Sequence, residues 1–325
     1  MRGMTLVRRA VLLGSIIGFA AFGRAGEEPE APKAPKPEAT EGVPEDVVAK
    51  VDDELISRAD LELARRQLAV NPRAPKPNNS QLLDQLINRK LWERYFDGHG
   101  LRASGAEVQR AIQNLDAELR KRNATYARWI AAMGFTAEEH AALIGYDLSM
   151  GRLVSSMQKD IPEADIKAEF EAHPEWYDGS RVDVSQIFIE TASLGNDAEK
   201  LRKAKERIDK CYADVTGGGK DFELIARDYS DGPASNAGGR RGWFERKGPE
   251  VDEELMAGAW ALKVGEVTKP IQGSQGWHIL KVNDREPARF TFFGAKQRVV
   301  KELTRRRLTT MLDELKAKAK IEKFI

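Results

Sequence analysis

The fold of this chain is decided by three short blocks: Tyr229-Ser230-Asp231-Gly232-Pro233, Gly238-Gly239-Arg240-Arg241-Gly242-Trp243-Phe244, and Gly276-Trp277-His278-Ile279-Leu280-Lys281. The first block is a turn sequence, because Asp-Gly-Pro combines a carboxylate that hydrogen-bonds nearby backbone with two residues that favour tight turns. The glycines of the second block predict positions where the backbone has a positive φ or approaches another segment closely. The third block predicts a strand, so the blocks together indicate a small domain built on a sheet.

The residues around these blocks predict an α+β domain over residues 178–286. Residues 181–189 are rich in β-branched side chains and predict the first strand. The other predicted elements are helices at 196–215, 221–227 and 252–262 and strands at 267–271 and 277–282. The run Gly217-Gly218-Gly219-Lys220 follows a helix and has no Ser or Thr after the lysine, so it does not predict a phosphate-binding loop.

Residues 46–176 predict a helical domain that opens with a short strand and a turn at 47–57. Apolar residues then recur at helical spacing, and Ser57 with Asp60 three residues later predicts a helix N-cap. Ser104 with Glu107 and Thr136 with Glu139 mark two further helix starts in capping-box form. Residues 287–325 predict one long helix followed by a strand. Its apolar stripe is too long to stay exposed and requires a partner face.

The first 45 residues predict export. Basic residues precede an apolar run from Ala10 to Phe22, and small residues follow at Gly23-Arg24-Ala25, which predicts a signal peptide over residues 1–25. The alternative is an uncleaved N-terminal anchor, although the apolar run is short of the roughly 20 residues that span a bilayer. Residues 26–45 are rich in Pro, Glu, Ala and Lys and predict a disordered linker.

Composition excludes several other classes of protein. The net charge is +1, which argues against a dedicated nucleic-acid binder, and no stable membrane insertion is expected once the signal is removed. Cys211 is the single cysteine, so no internal disulfide can form. The four histidines are too scattered in the sequence to predict a metal site, and no cofactor and no nucleophile–base pair are predicted.

The three blocks, in their order and at their separations, resemble the parvulin (PpiC-type) family of peptidyl-prolyl isomerases. The helical segment resembles the N-terminal region of SurA-like periplasmic chaperones, at 47–57, at 82–91 and in the turn Met133-Gly134-Phe135-Thr136. The resemblance implies an α+β protein. Its all-α chaperone module is formed by the N-terminal (46–176) and C-terminal (287–325) segments, with the parvulin domain inserted between them.

The parvulin resemblance also implies a site, with departures from the family pattern. His278 stands where the family has its second histidine, Gln186 stands where the first is usual, and Asp231 lies beside the position of a Cys or Asp. The residues implied to bind substrate are Phe244, Val251, Leu255, Arg241 and Trp243. Arg241 replaces an apolar residue of the proline cleft, so we expect it to weaken isomerisation more than Gln186 does.

Other roles for two of these residues stay open. His278 could be a hydrogen-bonded histidine of the sheet core, and Asp231 could be a turn-capping carboxylate. The resemblance implies an exported, periplasmic folding factor that binds unfolded proteins and isomerises their X-Pro bonds. The alternative is a weakly catalytic or non-catalytic chaperone whose parvulin domain serves as a peptide-binding module.

Overall fold

The computed structural model describes residues 44, 46–69, 77–247 and 252–324, so the predicted signal peptide and nearly all of the predicted linker lie outside the described residues. The chain divides into two compact units. The first contains the described residues through Ile161 together with those from Glu302 onward, and the second is Pro162–Lys301.

The first unit begins with a hairpin and continues as helices. Its elements are β1 (Val47–Val51), β2 (Glu54–Ser57), α1 (Arg58–Ala69), α2 (Asn79–Gly98), α3 (Gly105–Arg120), α4 (Tyr126–Ala132) and α5 (Ala137–Lys159). The predicted capping boxes at Ser104 and Thr136 are both present, and the Ser57 hydroxyl and Asp60 carboxylate form the expected hydrogen bonds at the start of α1.

The C-terminal end of the chain completes this first unit. The last elements are α11 (Phe292–Lys318) and β7 (Ile321–Lys323), and β7 pairs antiparallel with β1 in a three-stranded sheet of order β2-β1-β7. The module that the sequence predicts as all-α therefore also contains a small sheet, because the two predicted terminal strands pair with each other. Leu312 and Leu315 of α11 pack against the core residues of β1, β2, α1 and α2.

A second apolar cluster lies farther along α2 and α5. Leu308 of α11 is buried there, and the cluster consists of Trp92, Phe96, Met150, Leu153 and Leu308. The later part of the predicted stripe, at Leu308, Leu312 and Leu315, therefore packs against the N-terminal elements.

The second unit contains a four-stranded antiparallel sheet of order β4-β3-β6-β5. Its elements are α6 (Glu163–Ala172), α7 (Pro174–Tyr177), β3 (Arg181–Glu190), α8 (Ala198–Thr216), α9 (Phe222–Tyr229), β4 (Arg240–Phe244), α10 (Glu253–Trp260), β5 (Ile271–Gly273) and β6 (Gly276–Glu286). The strand predicted at 267–271 is mostly absent. Val267 makes one isolated bridge to Lys281, and regular pairing of this edge begins at Ile271.

The unit boundaries differ from the sequence-based domain boundaries at both ends of the second unit. Helix α6 and the first turns of α11 belong to the second unit, where the rings of Phe170 and Phe292 meet edge to face at 5.6 Å. Lys296 Nζ also lies 3.0 Å from the Glu163 carboxylate. These contacts assign 162–176 and 287–301 to the unit of the inserted sheet.

The sheet of the second unit has two covered faces. Ile187, Ile189 and Ile279 point to the face covered by α8 and α9. Val182, Val184, Leu280 and Val282 point to the opposite face, which packs against Leu255, Met256 and Ala259 of α10. Alternation along β3 and β6 therefore determines which side chains can share a site on the α10 face.

Candidate functional site

Gln186 and His278 lie on the α10 face of the sheet because they continue the alternation of the buried valines. On β3, Gln186 follows Val184 by two residues and lies opposite Leu280 of β6. Phe188 follows next and lies opposite His278. The two strands thus bring together side chains that are far apart in sequence.

A direct hydrogen bond joins Gln186 and His278. The side-chain Nε2 of Gln186 lies 2.6 Å from Nδ1 of His278, and both residues are almost fully buried, at 7% and 8% exposure. The ring of Phe188 packs against the imidazole at a centroid distance of 4.8 Å. Gln186, at the position where the resemblance implies the first histidine, is therefore hydrogen-bonded to His278, as its hydrogen-bonding capacity allows.

Arg241 contacts the other end of the same amide. Its Nη1 donates to the Oε1 of Gln186 at 2.6 Å, while the residue as a whole is exposed. The strand register explains this reach. Val184 lies opposite Gly242 and Ser185 opposite Arg240, so Arg241 is the extra residue of a β-bulge. A bulge bends its strand and redirects a side chain, and bulges are frequent beside functional sites.

The surroundings of His278 favour its neutral form. Burial lowers the pKa of His278, the Asp252 carboxylate opposes this by raising the pKa, and the positive charge of Arg241 lowers it further. Asp252 is a residue that sequence reasoning did not include in the site. The sequence feature that could have identified it is its position as the N-cap of α10, where its side chain accepts from the Leu255 backbone N–H.

An apolar surface continues from the hydrogen-bonded pair along the same face. Leu255 belongs to the buried cluster of the α10 face, and Phe244 and Ile271 are partly buried against it. Ile271 lies opposite His278 on β5, so apolar groups adjoin the imidazole. Phe244 and Leu255 therefore belong to the same apolar cluster.

Trp243 lies on the other face of β4. It is opposite Asp183, whereas Phe244 is opposite Val182 on the α10 face. The guanidinium of Arg181 lies over its ring, 5.1 Å from the centroid. The structure therefore does not bring Trp243 together with His278, because neighbouring residues of a strand point to opposite faces.

Asp231 is engaged away from Gln186 and His278. Its Oδ1 accepts from Arg207 Nη2 at 3.0 Å, and its Oδ2 accepts from the Glu190 backbone N–H at 3.0 Å. Its own N–H donates to the Phe188 carbonyl at 2.7 Å. These bonds cap the end of β3, which corresponds to the turn-capping role left open by the sequence.

Val251 lies outside the described residues. Within the described ranges, no group of three or more His, Cys, Asp or Glu side chains is placed to hold a metal ion. No helix in those ranges is both long and apolar enough to cross a membrane.

Family models agree with this arrangement of domains. Residues 187–284 match the PPIC-type PPIASE domain, and residues 7–154 match the SurA-like N-terminal domain. The fold and the matches therefore define a parvulin-type protein. More particularly, the chain combines a PpiC-type domain with a SurA-like N-terminal domain.

Similar proteins include two kinds of folding factor. The chain is 26% identical over 297 residues to a protein named chaperone SurA from Saccharophagus degradans, an alignment that covers 85% of this chain and 65% of the relative. It is 31% identical over 163 residues to the foldase protein PrsA of Geobacillus kaustophilus, covering 50% of this chain and 51% of the relative. The chain spans less than two thirds of the length of these relatives.

Among solved structures, the peptidylprolyl isomerase PrsA from Bacillus anthracis is similar, with a TM-score of 0.45 and 19% identity. The superposition covers 74% of this chain and all of that one.

Proposed function

We propose that this protein is an exported folding factor that binds unfolded proteins and catalyses cis–trans isomerisation of their X-Pro bonds through residues 178–286. The observation that carries the proposal is the buried Gln186–His278 pair beside the apolar surface of Phe244 and Leu255. The SurA and PrsA relatives, named as chaperone and foldase, support the same class of function.

The chemistry of this site suits isomerisation. The uncatalysed reaction crosses a barrier of about 18–20 kcal/mol, yet it makes and breaks no covalent bond. A catalyst needs an apolar surface for the proline ring and polar groups that bind the twisted amide better than the planar one. Phe244 and Leu255 offer the first, and the neutral imidazole of His278 offers the second.

The experiment is a prolyl isomerisation assay on short Ala-Pro and Glu-Pro peptides with residues 26–325. We expect acceleration over the uncatalysed rate and its loss in His278→Asn. His99→Asn is the matched control, because His99 is exposed and stacks on Tyr95 in the other unit. No acceleration by the parent protein, with intact folding, would reject the enzymatic part of the proposal.

A second candidate function is a peptide-binding module with little turnover. The observation that favours it is Arg241, whose cationic side chain reaches into the site and bonds to Gln186. Adding increasing amounts of this protein to an unfolded, proline-containing client distinguishes the binding module from the isomerase. Binding and suppression of its aggregation without faster isomerisation would support the binding module.

We propose that the protein acts outside the cytoplasm, after removal of residues 1–25. The apolar run that ends at Phe22 and the small residues after it support this proposal. N-terminal sequencing of the protein recovered from its producing cells tests it. A new N-terminus near Gly26 is expected, and retention of Met1 in a membrane fraction would contradict it.

The helical module is proposed as the surface that holds clients. In this proposal, the first unit, which contains the described residues through Ile161 and those from Glu302 onward, supplies the module, and residues 178–286 supply the isomerase. The His278→Asn variant isolates this activity, because its helical module is unaltered. An aggregation assay should show that it still suppresses aggregation of an unfolded client protein.

A further inference from the structure

Three side chains form a line from the exposed side of β4 to the sheet centre. Arg241 Nη1 lies 2.6 Å from the Oε1 of Gln186, and Gln186 Nε2 lies 2.6 Å from Nδ1 of His278. The outer member is exposed and the inner two are buried. The line gives an exposed cation a direct connection to the central imidazole.

The orientation of the Gln186 amide follows from its outer partner. A guanidinium carries N–H donors and no acceptor, so it can face only the oxygen of an amide. Turning the amide over would place its NH₂ group against the guanidinium of Arg241, donor against donor. Arg241 therefore fixes Oε1 outward and Nε2 inward, toward His278.

The orientation of the amide then determines which ring nitrogen of His278 carries the proton. The inward NH₂ group donates, so Nδ1 must accept and cannot be protonated. In the neutral ring, the proton is then on Nε2. That nitrogen faces Gly273 of β5, since a Cβ built on Gly273 would lie 3.0 Å from it.

The other groups around the imidazole are consistent with a neutral ring. Phe188 of β3 packs on its face, Asp252 at the start of α10 attracts a proton, and Arg241 of β4 repels one. A protonated ring would carry hydrogen on both nitrogens and would direct Nδ1–H at the amide NH₂. The hydrogen-bond line therefore opposes protonation in addition to the effect of burial.

We infer that Arg241 is a positioning residue that, through Gln186, holds His278 in the Nε2–H tautomer. The inference deepens the proposed function and rests on it, since it describes how this chain prepares its imidazole for the amide of a client. It also gives Arg241 and Gln186, two of the departures from the family pattern, a joint role.

The test is ¹⁵N NMR of the histidine rings in the full chain, labelled at histidine. The chain has four histidines, so His278→Asn assigns the ring of interest by the disappearance of its signals. We expect the parent protein to show protonated Nε2 and unprotonated Nδ1 for His278 at neutral pH. A ring protonated at Nδ1 would overturn the inference without any variant.

Variants of Gln186 and Arg241 test the direction of the effect. In Gln186→Glu the carboxylate accepts at both oxygens, so it should move the proton of His278 to Nδ1 and raise the pKa of the ring above that of the parent protein. In Arg241→Leu the amide is free to turn, and a second tautomer should become populated. Arg241→Lys, which keeps a group that only donates, should restore the parent tautomer.

Arg202→Leu is the matched control, because Arg202 lies exposed on α8 and pairs with Glu206. It removes the same charge and should leave the His278 signals unchanged. Unchanged ring shifts in both Gln186→Glu and Arg241→Leu, with the other histidine signals intact, would overturn the inference. Because the readout is the resting ring, a protein inactive on peptides that still shows the tautomer change would reject the proposed function alone.

Discussion

Ala49 of β1 lies directly opposite Lys323 of β7. Segments close to the two ends of the described chain therefore pair in one sheet. The contact is reinforced by the Asp52 N–H, which donates to the Lys320 carbonyl at 2.8 Å, and by Lys323 Nζ, which lies 2.6 Å from the Asp84 carboxylate. The exposed ion pair adds little by itself. Ala49 is fully buried, and Ile321 of β7 packs against the core cluster that contains it, so β7 extends the core of this unit.

Replacing Leu308 with Ala should strongly destabilise the first unit. Leu308 is 2% exposed and packs among Trp92, Phe96 and other buried residues of the N-terminal helices. Loss of a buried Leu side chain costs about 2–5 kcal/mol because apolar burial is lost and a cavity remains. Urea unfolding measures the change. Leu224→Ala, at a 53% exposed position, is the control and should shift the unfolding free energy by about 0.5 kcal/mol or less. Equal effects would contradict this placement of α11.

Replacing Gly239 with Ala should disrupt the site, whereas Gly242→Ala should be tolerated better. Both residues have positive φ, of 79° and 90°. A Cβ on Gly239 would lie 2.3 Å from the Gln186 carbonyl oxygen, whereas nothing lies within 4 Å of one on Gly242. The two variants therefore share backbone strain and differ in a clash with β3. The Tm of Gly239→Ala should be clearly lower than that of Gly242→Ala. The reverse order would reject the close approach of Gly239 to β3.

The effects of Arg241→Leu and Gln186→His should not add. In the sequence, the two residues are separate departures from the family pattern, but in the structure a 2.6 Å hydrogen bond couples them. Removing Arg241 alone leaves a buried amide oxygen without this donor, and replacing Gln186 alone leaves Arg241 without its acceptor. The double variant removes both groups together.

A double-mutant cycle on kcat/KM for an Ala-Pro peptide measures this coupling. We expect a coupling energy of about 1 kcal/mol or more and a double variant more active than either single variant. Additive effects within about 0.3–0.5 kcal/mol would show that the contact has no bearing on activity.

Acid should destabilise the first unit through His140. This residue is buried, accepts or donates at Nδ1 with the Tyr126 hydroxyl at 2.9 Å, and lies among the rings of Tyr126, Trp129 and Phe135. Burial lowers its pKa in the folded protein below the value of about 6.5 expected when unfolded. The unfolded state therefore binds the proton more readily. The stabilisation is complete above about pH 6.5 and is lost as the pH falls toward the folded-state pKa.

Urea unfolding between about pH 5 and pH 8 tests this prediction. His140→Gln should flatten the fall in unfolding free energy across that window, because glutamine does not titrate. His99→Gln, at an exposed position, is the control and should leave the slope unchanged. A slope that survives in His140→Gln would assign the acid sensitivity to other groups, among them His278, whose pKa burial also lowers.

The sequence by itself determined the local elements and the faces of the sheet. Period-two alternation from Val182 through Gln186 required those side chains to share a face, and the capping pairs at Ser104 and Thr136 placed helix starts. The long stripe on α11 required a partner. These features follow from the spacing of side chains along one element, which the sequence states directly.

The tertiary structure alone decided how the site is connected. The bulge at Arg241, which turns its guanidinium to Gln186, depends on the pairing of β4 with β3, and no local pattern encodes that register. The same holds for Asp231, which Arg207 holds at the end of β3. A long side chain has several reachable partners, and the one it binds is selected by segments distant in sequence.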